Sequence, residues 1–512
     1  MVKIFINDNP VEVNSDATIL DAAQKAGIDI PHLCYHQAFP PEGSCRMCLV
    51  EIEGAPKLEL ACSTPVRDGM KVYTHTGEVC EARKGVLEFL LANHPNDCPI
   101  CEQSGDCKLQ DYYDEYGLFD SRFSENKIRR EKKVTLGKNL LLDRERCILC
   151  TRCVRFLKNI TGGEELGVFQ RGSEAEIALF PGETLDNNYS GNLAEICPVG
   201  AITDLDFRFK SRTWFMESAP SLCPLCSRGC NIYIDHHPGY AKFEIPKRIY
   251  RIKARENPDV NGYWICDKGR YGYGYIDKDR LKTTEVNGQN VDYLEGLTLL
   301  TEAIQKLRHK NKTHRISMLL NSFLSNEELY LIDKIFIKEL GVKQIRFIDP
   351  PEEQGDEILL TSERAPNRRG AREIGFDVNL QEMSWTGTEL LLIFEGPMPV
   401  ESLNKMISSL PDKVEDRFLF TPRKTELGNN VSAVFPTAVT AEKMGSLTNQ
   451  EGKVQPFLAV LDPPGTARPE WEWLKYLGKE LGIDFPFHSR IFSPRDIFTA
   501  MQGDISFFQV QK

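Results

Sequence analysis

All sixteen cysteines of the chain lie between Cys34 and Cys266. Fifteen of them fall into groups: Cys34, Cys45, Cys48 and Cys62 (C-x10-C-x2-C-x13-C); Cys98, Cys101 and Cys107, preceded by His94 (H-x3-C-x2-C-x5-C); Cys147, Cys150 and Cys153, with Cys197-Pro198 far downstream; and Cys223, Cys226 and Cys230, with Cys266 after a long interval. Such x2 and x3 spacings let thiolates converge on a metal, whereas disulfides are disfavoured in a reducing compartment. Each group offers four donors, which suits an iron–sulfur cluster or a zinc ion.

The four patterns differ in what they favour. In the first, four thiolates suit one two-iron cluster, with Gly43-Ser44 supplying a tight loop before Cys45. The spacing departs from the plant-type C-x4-C-x2-C, so the chain between the first two ligands must take another path. In the second, Gly105 lets the loop fold back on His94. An imidazole in place of a thiolate leaves the cluster less negative and raises its potential. The third resembles a bacterial ferredoxin with one half erased: Leu157 stands where the run would place its next Cys, so Cys147, Cys150, Cys153 and Cys197 make one four-iron site. The fourth, with Cys266-Asp267-Lys268-Gly269-Arg270, looks like the four-iron subdomain that opens molybdopterin oxidoreductases, its rival being a zinc ribbon. Cys80 has no ligand at x2 or x3 and is assigned to packing. Arg46, Arg152 and Arg228 stand near the ligands, either to stabilise reduced clusters or as solvated charge.

These groups need elements to hold them. Alternating Val2, Ile4 and Ile6, a turn at Asn7-Asp8-Asn9-Pro10, then Val11 and Val13 predict a hairpin. A helix over 17–26, capped by Asn14-Ser15-Asp16, and strands over 49–53 and 70–74 complete a β-grasp domain. A helix over 78–93, with Val79, Val86, Leu87, Leu90 and Leu91 on its apolar stripe, stops before Pro95. From about residue 290 helix and strand alternate (helices 293–309, 325–340 and 400–409; strands 315–320, 344–348, 389–394 and 416–421), a doubly wound α/β pattern. Glu352 to Gln381, rich in Glu, Arg and Gly, reads as a long surface loop.

Composition bounds the rest. The chain of 512 residues, 41% hydrophobic and 27% charged, has a globular balance. Its net charge of −11 disfavours nucleic acid. No apolar stretch is long enough to span a membrane, and the start lacks a signal-peptide layout, so a cytoplasmic chain is expected. No Walker sequence occurs, and the nearest dinucleotide-type candidate, Gly272-Tyr273-Gly274, has Asp277 where a third Gly belongs. Four closed sites leave no open position for a substrate, so the expected role is electron conduction.

Together the four patterns resemble, over residues 1–270, the family of the iron–sulfur G-type subunit of bacterial NADH-quinone oxidoreductase (respiratory complex I, mitochondrial 75 kDa subunit). Asn449-Gln450-Glu451-Gly452-Lys453-Val454-Gln455, Pro463-Pro464-Gly465 and Trp471 add a weaker likeness to molybdopterin-type chains and to the same family. The resemblance implies an α+β and α/β multidomain protein. Its parts are a 2Fe-2S ferredoxin domain (1–77), a His/Cys 4Fe-4S domain (78–117), a half-ferredoxin 4Fe-4S domain (138–210), a molybdopterin-oxidoreductase-type 4Fe-4S domain (216–272) and a degenerate α/β domain (273–512). It implies one 2Fe-2S and three 4Fe-4S clusters, with electrons from a flavin- and NADH-binding subunit passing the sites at 34–62, 147–197 and 94–107 toward quinone-side subunits. The fourth cluster lies off that path. No FMN, NAD or molybdopterin is expected on the chain: no Cys after Cys266 can ligate molybdenum, although Lys268 keeps the place of the family's Lys between cluster and pterin. The expected location is peripheral, on the cytoplasmic side of the bacterial inner membrane, with membrane contact only through partners. The alternatives are an electron-transfer subunit of a soluble NAD-linked hydrogenase or formate dehydrogenase, and a structural zinc protein.

Overall fold

The computed structural model describes residues 1–117, 121–238, 248–379, 385–397, 410, 414–485 and 493–509. They form two compact units, Met1–Glu217 and Ser218–Lys512, with the mixed α+β and α/β architecture that the sequence predicts.

The first unit opens with the expected hairpin. Strands Val2–Ile6 and Asn9–Val13 pair antiparallel. Asn7 and Asp8 turn between them in the left-handed region, which short polar side chains tolerate. Strand Lys71–Tyr73 returns parallel to the first strand and is flanked by Leu49–Ile52, with Glu59–Leu60 at the edge. Helix Ile19–Lys25 covers this sheet, so that Ile19, Leu20, Ala22 and Ala23 share a core with Ile4, Ile6, Val50 and Val72. The helix starts later than expected, because Thr18, not Asn14-Ser15-Asp16, is its cap. Thr18 and Asp21 bond reciprocally as a capping box, and the earlier candidates have no acid three residues on.

Helix Gly77–Asn93 ends as predicted at His94, before Pro95. It buries Val79, Arg83 and Leu87, and only half covers Val86, Leu90 and Leu91. Cys80 is partly exposed on this helix rather than packed in the core. The buried Arg83 replaces part of the apolar stripe, donating to Leu49 O and to Tyr116 Oη of helix Lys108–Tyr116. Strands Val134–Thr135, Leu140–Leu142 and Ile202–Asp204 then form a small sheet beside the short helices Arg152–Phe156 and Asn192–Ile196. Leu157, where a two-cluster ferredoxin would carry another Cys, is fully buried beside Phe156.

The second unit begins with a sheet of strands Glu217–Leu222, Asn231–His236 and Ile249–Ala254, the last two antiparallel. Beyond them lies a seven-stranded sheet. Ile316–Leu320, Gln344–Phe347, Leu390–Phe394, Asp416–Thr421 and Ala433–Pro436 run parallel, and the hairpin Thr284–Val286/Gln289–Val291 adds an antiparallel edge. The inner strands Ile316–Leu320 and Leu390–Phe394 read as near-continuous apolar runs because both faces are covered. Helix Tyr293–His309 lays Leu297, Leu300, Ile304 and Leu307 onto the sheet at helical spacing. The expected helix over 325–340 is instead an α-helix, Asn326–Ile332, that widens into a π-helical stretch, Asp333–Glu339. The expected helix over 400–409 falls outside the described residues.

Candidate metal centres

The first four cysteines are all buried in the β-grasp part. The Cys34 and Cys45 thiols share a hydrogen bond, as do those of Cys48 and Cys62, and none of the four is in a disulfide. The bond from Cys45 lowers the Cys34 thiol to about 5, while the same contact and burial push Cys45 up. Four buried thiols that share hydrogens this way cannot all ionise unless a cation joins them, which is the demand an iron cluster meets. The Leu33 N–H already donates to Cys45 Sγ at 3.4 Å.

In the second group Cys101 and Cys107 are buried and Cys98 is partly so. Burial pushes the Cys107 thiol up to about 12. His94 is lowered to about 4, first by burial and then by the charge of Arg146, so its imidazole is neutral at pH 7. Its Nδ1 is buried with no hydrogen-bond partner. Arg146 pairs with Asp97 at 2.7 Å and Asp143 at 3.2 Å, and its charge also acts on Cys101, so imidazole and thiol share this neighbour. Arg212 clamps the loop by donating to Pro99 O and Cys101 O.

Cys147, Cys150, Cys153 and Cys197 face one another and line one small internal cavity with Ile148, Ile177, Val199 and Ile202. Burial raises Cys147 to about 12 and Cys150 to about 11. Leu149 and Thr151 sit between these ligands with φ of 54° and 58°. For residues with a Cβ that costs about 1–2 kcal/mol each, a strain kept where it turns backbone N–H groups inward on sulfur. The Leu149 N–H donates to Cys147 Sγ at 3.4 Å.

The three sites of this unit are stitched to one another. Between the second and third, a Cβ on Gly200 would stand 2.5 Å from Cys101 Sγ, and Lys108 N–H donates to Pro198 O. Between the first and third, one amino group of Arg155 donates to both Cys34 O and Cys150 O. Arg152 donates to Ile196 O at 3.1 Å and to Tyr35 O. The other two cations that stand near ligands in the sequence differ from it: Arg46 is exposed, and Arg228 is paired with Glu451 at 2.6 Å. The links Arg146–Asp97 and Arg155–Cys34 are not evident from the sequence, because these partners are far away in the chain.

In the second unit Cys223, Cys226, Cys230 and Cys266 are buried and face one another. Gly269 N–H donates to Cys266 Sγ at 3.4 Å, and a Cβ on Gly269 would stand 3.2 Å from Cys223 Sγ. The segment from Glu352 is no surface loop. Leu359, Leu360, Arg364 and Asn367 are buried, and residues Arg368–Ile374 are helical. Apolar anchors and paired charges pull it in: Ser227 N–H donates to Glu363 O, and Lys268 pairs with Glu353 at 2.5 Å. The Asn449–Gln455 motif also packs here, Gln455 bonding Asn231 at 2.6 Å and Gly229 O at 2.9 Å. Gly272–Ile276 is a tight 3-10 turn rather than a phosphate loop.

The donor sets, the orphaned His94 nitrogen and the glycines pressed on sulfur all fit iron–sulfur clusters. Family models agree. They match the 2Fe-2S iron-sulfur cluster binding domain over residues 1–77, the NADH-ubiquinone oxidoreductase-G iron-sulfur binding region over 83–122, and the NADH-quinone oxidoreductase subunit 3 ferredoxin-like domain over 137–203. The molybdopterin oxidoreductase Fe4S4 domain matches 216–278 and molybdopterin oxidoreductase 424–480. The chain thus carries 2Fe-2S and 4Fe-4S binding domains. It is 38% identical over 345 residues to the NADH-quinone oxidoreductase G-type subunit of Rickettsia felis, covering 67% of this chain and 49% of the relative. It is 39% identical over 349 residues to the NADH-ubiquinone oxidoreductase 75 kDa subunit of Reclinomonas americana, with the same coverage. To NADH-quinone oxidoreductase subunit 3 of Thermus thermophilus it is 39% identical over 346 residues, covering 60% of this chain and 43% of that one. The chain spans about half the length of these relatives.

Proposed function

We infer, from the chain's membership of the family of NADH-quinone oxidoreductase G-type (75 kDa) subunits, that it is the iron–sulfur electron-transfer subunit of such a complex, passing electrons from an NADH- and flavin-binding subunit toward quinone. The observation that carries this reading is the contact of neighbouring ligand sets within one compact unit: Arg155 joins Cys34 to Cys150, and Gly200 presses on Cys101.

Cys34, Cys45, Cys48 and Cys62 would hold a two-iron cluster. His94 with Cys98, Cys101 and Cys107, Cys147 with Cys150, Cys153 and Cys197, and Cys223 with Cys226, Cys230 and Cys266 would each hold a four-iron cluster. When bound, the clusters supply one-electron couples. The chain's own residues bury the thiols, aim N–H groups at sulfur and keep water out, which holds reorganisation small. Lys268, tied to Glu353, is used within the chain, and the proposal includes no molybdopterin, FMN or NAD here. Among the described residues no helix is long and apolar enough to cross a membrane. We place the chain peripherally on the cytoplasmic face, held through partner subunits.

Metal analysis of anaerobically purified protein, with EPR after dithionite reduction, tests the reading. Four filled sites predict roughly fourteen irons, no molybdenum, and one two-iron signal beside several four-iron signals. Zinc in the sites with a silent spectrum would make the chain a structural module.

A further inference from the structure

Arg152 is a cation without an acid. Among the described residues no ion pair joins it to a carboxylate, and its fixed hydrogen bonds go to two carbonyls, Tyr35 O and Ile196 O. Those carbonyls belong to the residue after Cys34 and the residue before Cys197, one in each of two neighbouring ligand sets. Its Nε is buried with no hydrogen-bond partner. Among the charges that act on it most are those of the Cys150, Cys197, Cys34 and Cys45 thiols.

We propose that Arg152 is a positioning residue whose guanidinium serves, beside that of Arg155, as a shared counter-charge of the two-iron site and the half-ferredoxin site, raising the reduction potentials of both. This rests on the ligand sets assigned above. Reduction adds one negative charge to a site, and a fixed cation in a partly buried setting stabilises that charge with little screening. A cation held by carbonyls on both sides cannot swing toward one site or out to solvent, so its effect is divided between the two. Arg suits the position because its planar fork reaches two carbonyls at once and it never deprotonates. Burial without an acidic partner is otherwise costly, and the clusters' own negative charge offsets it.

The test is an EPR-monitored redox titration of the whole protein carrying R152Q or R152K, beside the unsubstituted protein. R152Q is expected to lower both potentials by about tenfold in each redox equilibrium, ~59 mV for a one-electron couple. The signal of the Cys223 site should stay in place. R152K, which keeps the charge, should restore most of both shifts. If neither signal moves, if only one moves, or if R152K behaves like R152Q, the shared counter-charge is wrong. Should R152Q fail to load iron, R152K alone decides: both signals near their original potentials support the charge, and a full shift despite the retained charge overturns it. Absence of both signals from the unsubstituted protein would instead overturn the cluster assignment, and the proposal with it.

Discussion

Gly200 lies against Cys101: a methyl group on its Cα would stand 2.5 Å from the Cys101 sulfur and 3.1 Å from Gln103 Cβ. Carbon and sulfur cannot approach so closely, and Cys101 has little room to retreat because Arg212 holds its carbonyl. The glycine lets the chain after Cys197, a ligand of one proposed site, pass over a ligand of the next. G200A should therefore lose the His94 site selectively, with iron content falling by about four and the two-iron signal kept. Full iron with an unaltered spectrum would show that the loop gives way and that the contact is incidental.

His94 offers the second prediction. A buried Nδ1 with no hydrogen-bond partner is costly unless a metal takes its lone pair. In H94C a thiolate replaces a neutral ligand, the site gains negative charge, and its potential should fall by on the order of 100 mV. A redox titration in which that signal keeps its midpoint would remove His94 from the ligand set.

A third prediction concerns the second unit's core. Trp473 is 1% exposed, stacks edge-on against Phe435 at 5.1 Å and donates Nε1–H to Pro436 O at 3.1 Å. W473A removes the ring and one of two hydrogen bonds to that carbonyl, which also accepts from Arg468 N–H, at a cost of about 3–5 kcal/mol. Chemical denaturation should show a loss of that size, and W473F a smaller one that reflects mainly the hydrogen bond and the reduced volume. Equal stability of W473A and the unsubstituted protein would mean the core repacks without the indole.

What the sequence made legible was local. Alternation at Val2, Ile4 and Ile6 was enough for the hairpin, and the 3.6-residue stripe of Leu297, Leu300, Ile304 and Leu307 for the helix. Candidate ligands stood out because x2 and x3 spacings are themselves a geometric constraint. Contacts between sites were hidden, since Arg155 and Cys34 are 121 residues apart and Arg146 and Asp97 are 49 apart. The region after Glu352 misled for a related reason. Its charges read as solvated until they are seen paired, Glu353 with Lys268 and Arg364, and Glu363 with Arg368. At the start of the first helix the rule was right and its placement wrong, because the reciprocal acid, Asp21, decides which polar residue is the cap.

Glu327 provides a pH test. Its carboxyl is 2% exposed and accepts from Ser446 N–H and Ser446 Oγ, both at 2.8 Å; burial outweighs these bonds and raises it to about 7. Its folded pKa thus lies above the unfolded carboxylate value, so the folded state binds the extra proton. The stability this contributes is fully present below about pH 4.5 and is lost as pH rises through about 7. In E327Q the amide can still accept from the Ser446 N–H and can donate to its hydroxyl, without a charge to desolvate. The substitution should change stability little at pH 5, and by pH 8 should stabilise the protein by on the order of 3 kcal/mol. Denaturation curves at the two pH values measure the difference. A pH-independent effect of E327Q would mean that the Ser446 bonds keep the carboxylate ionised throughout.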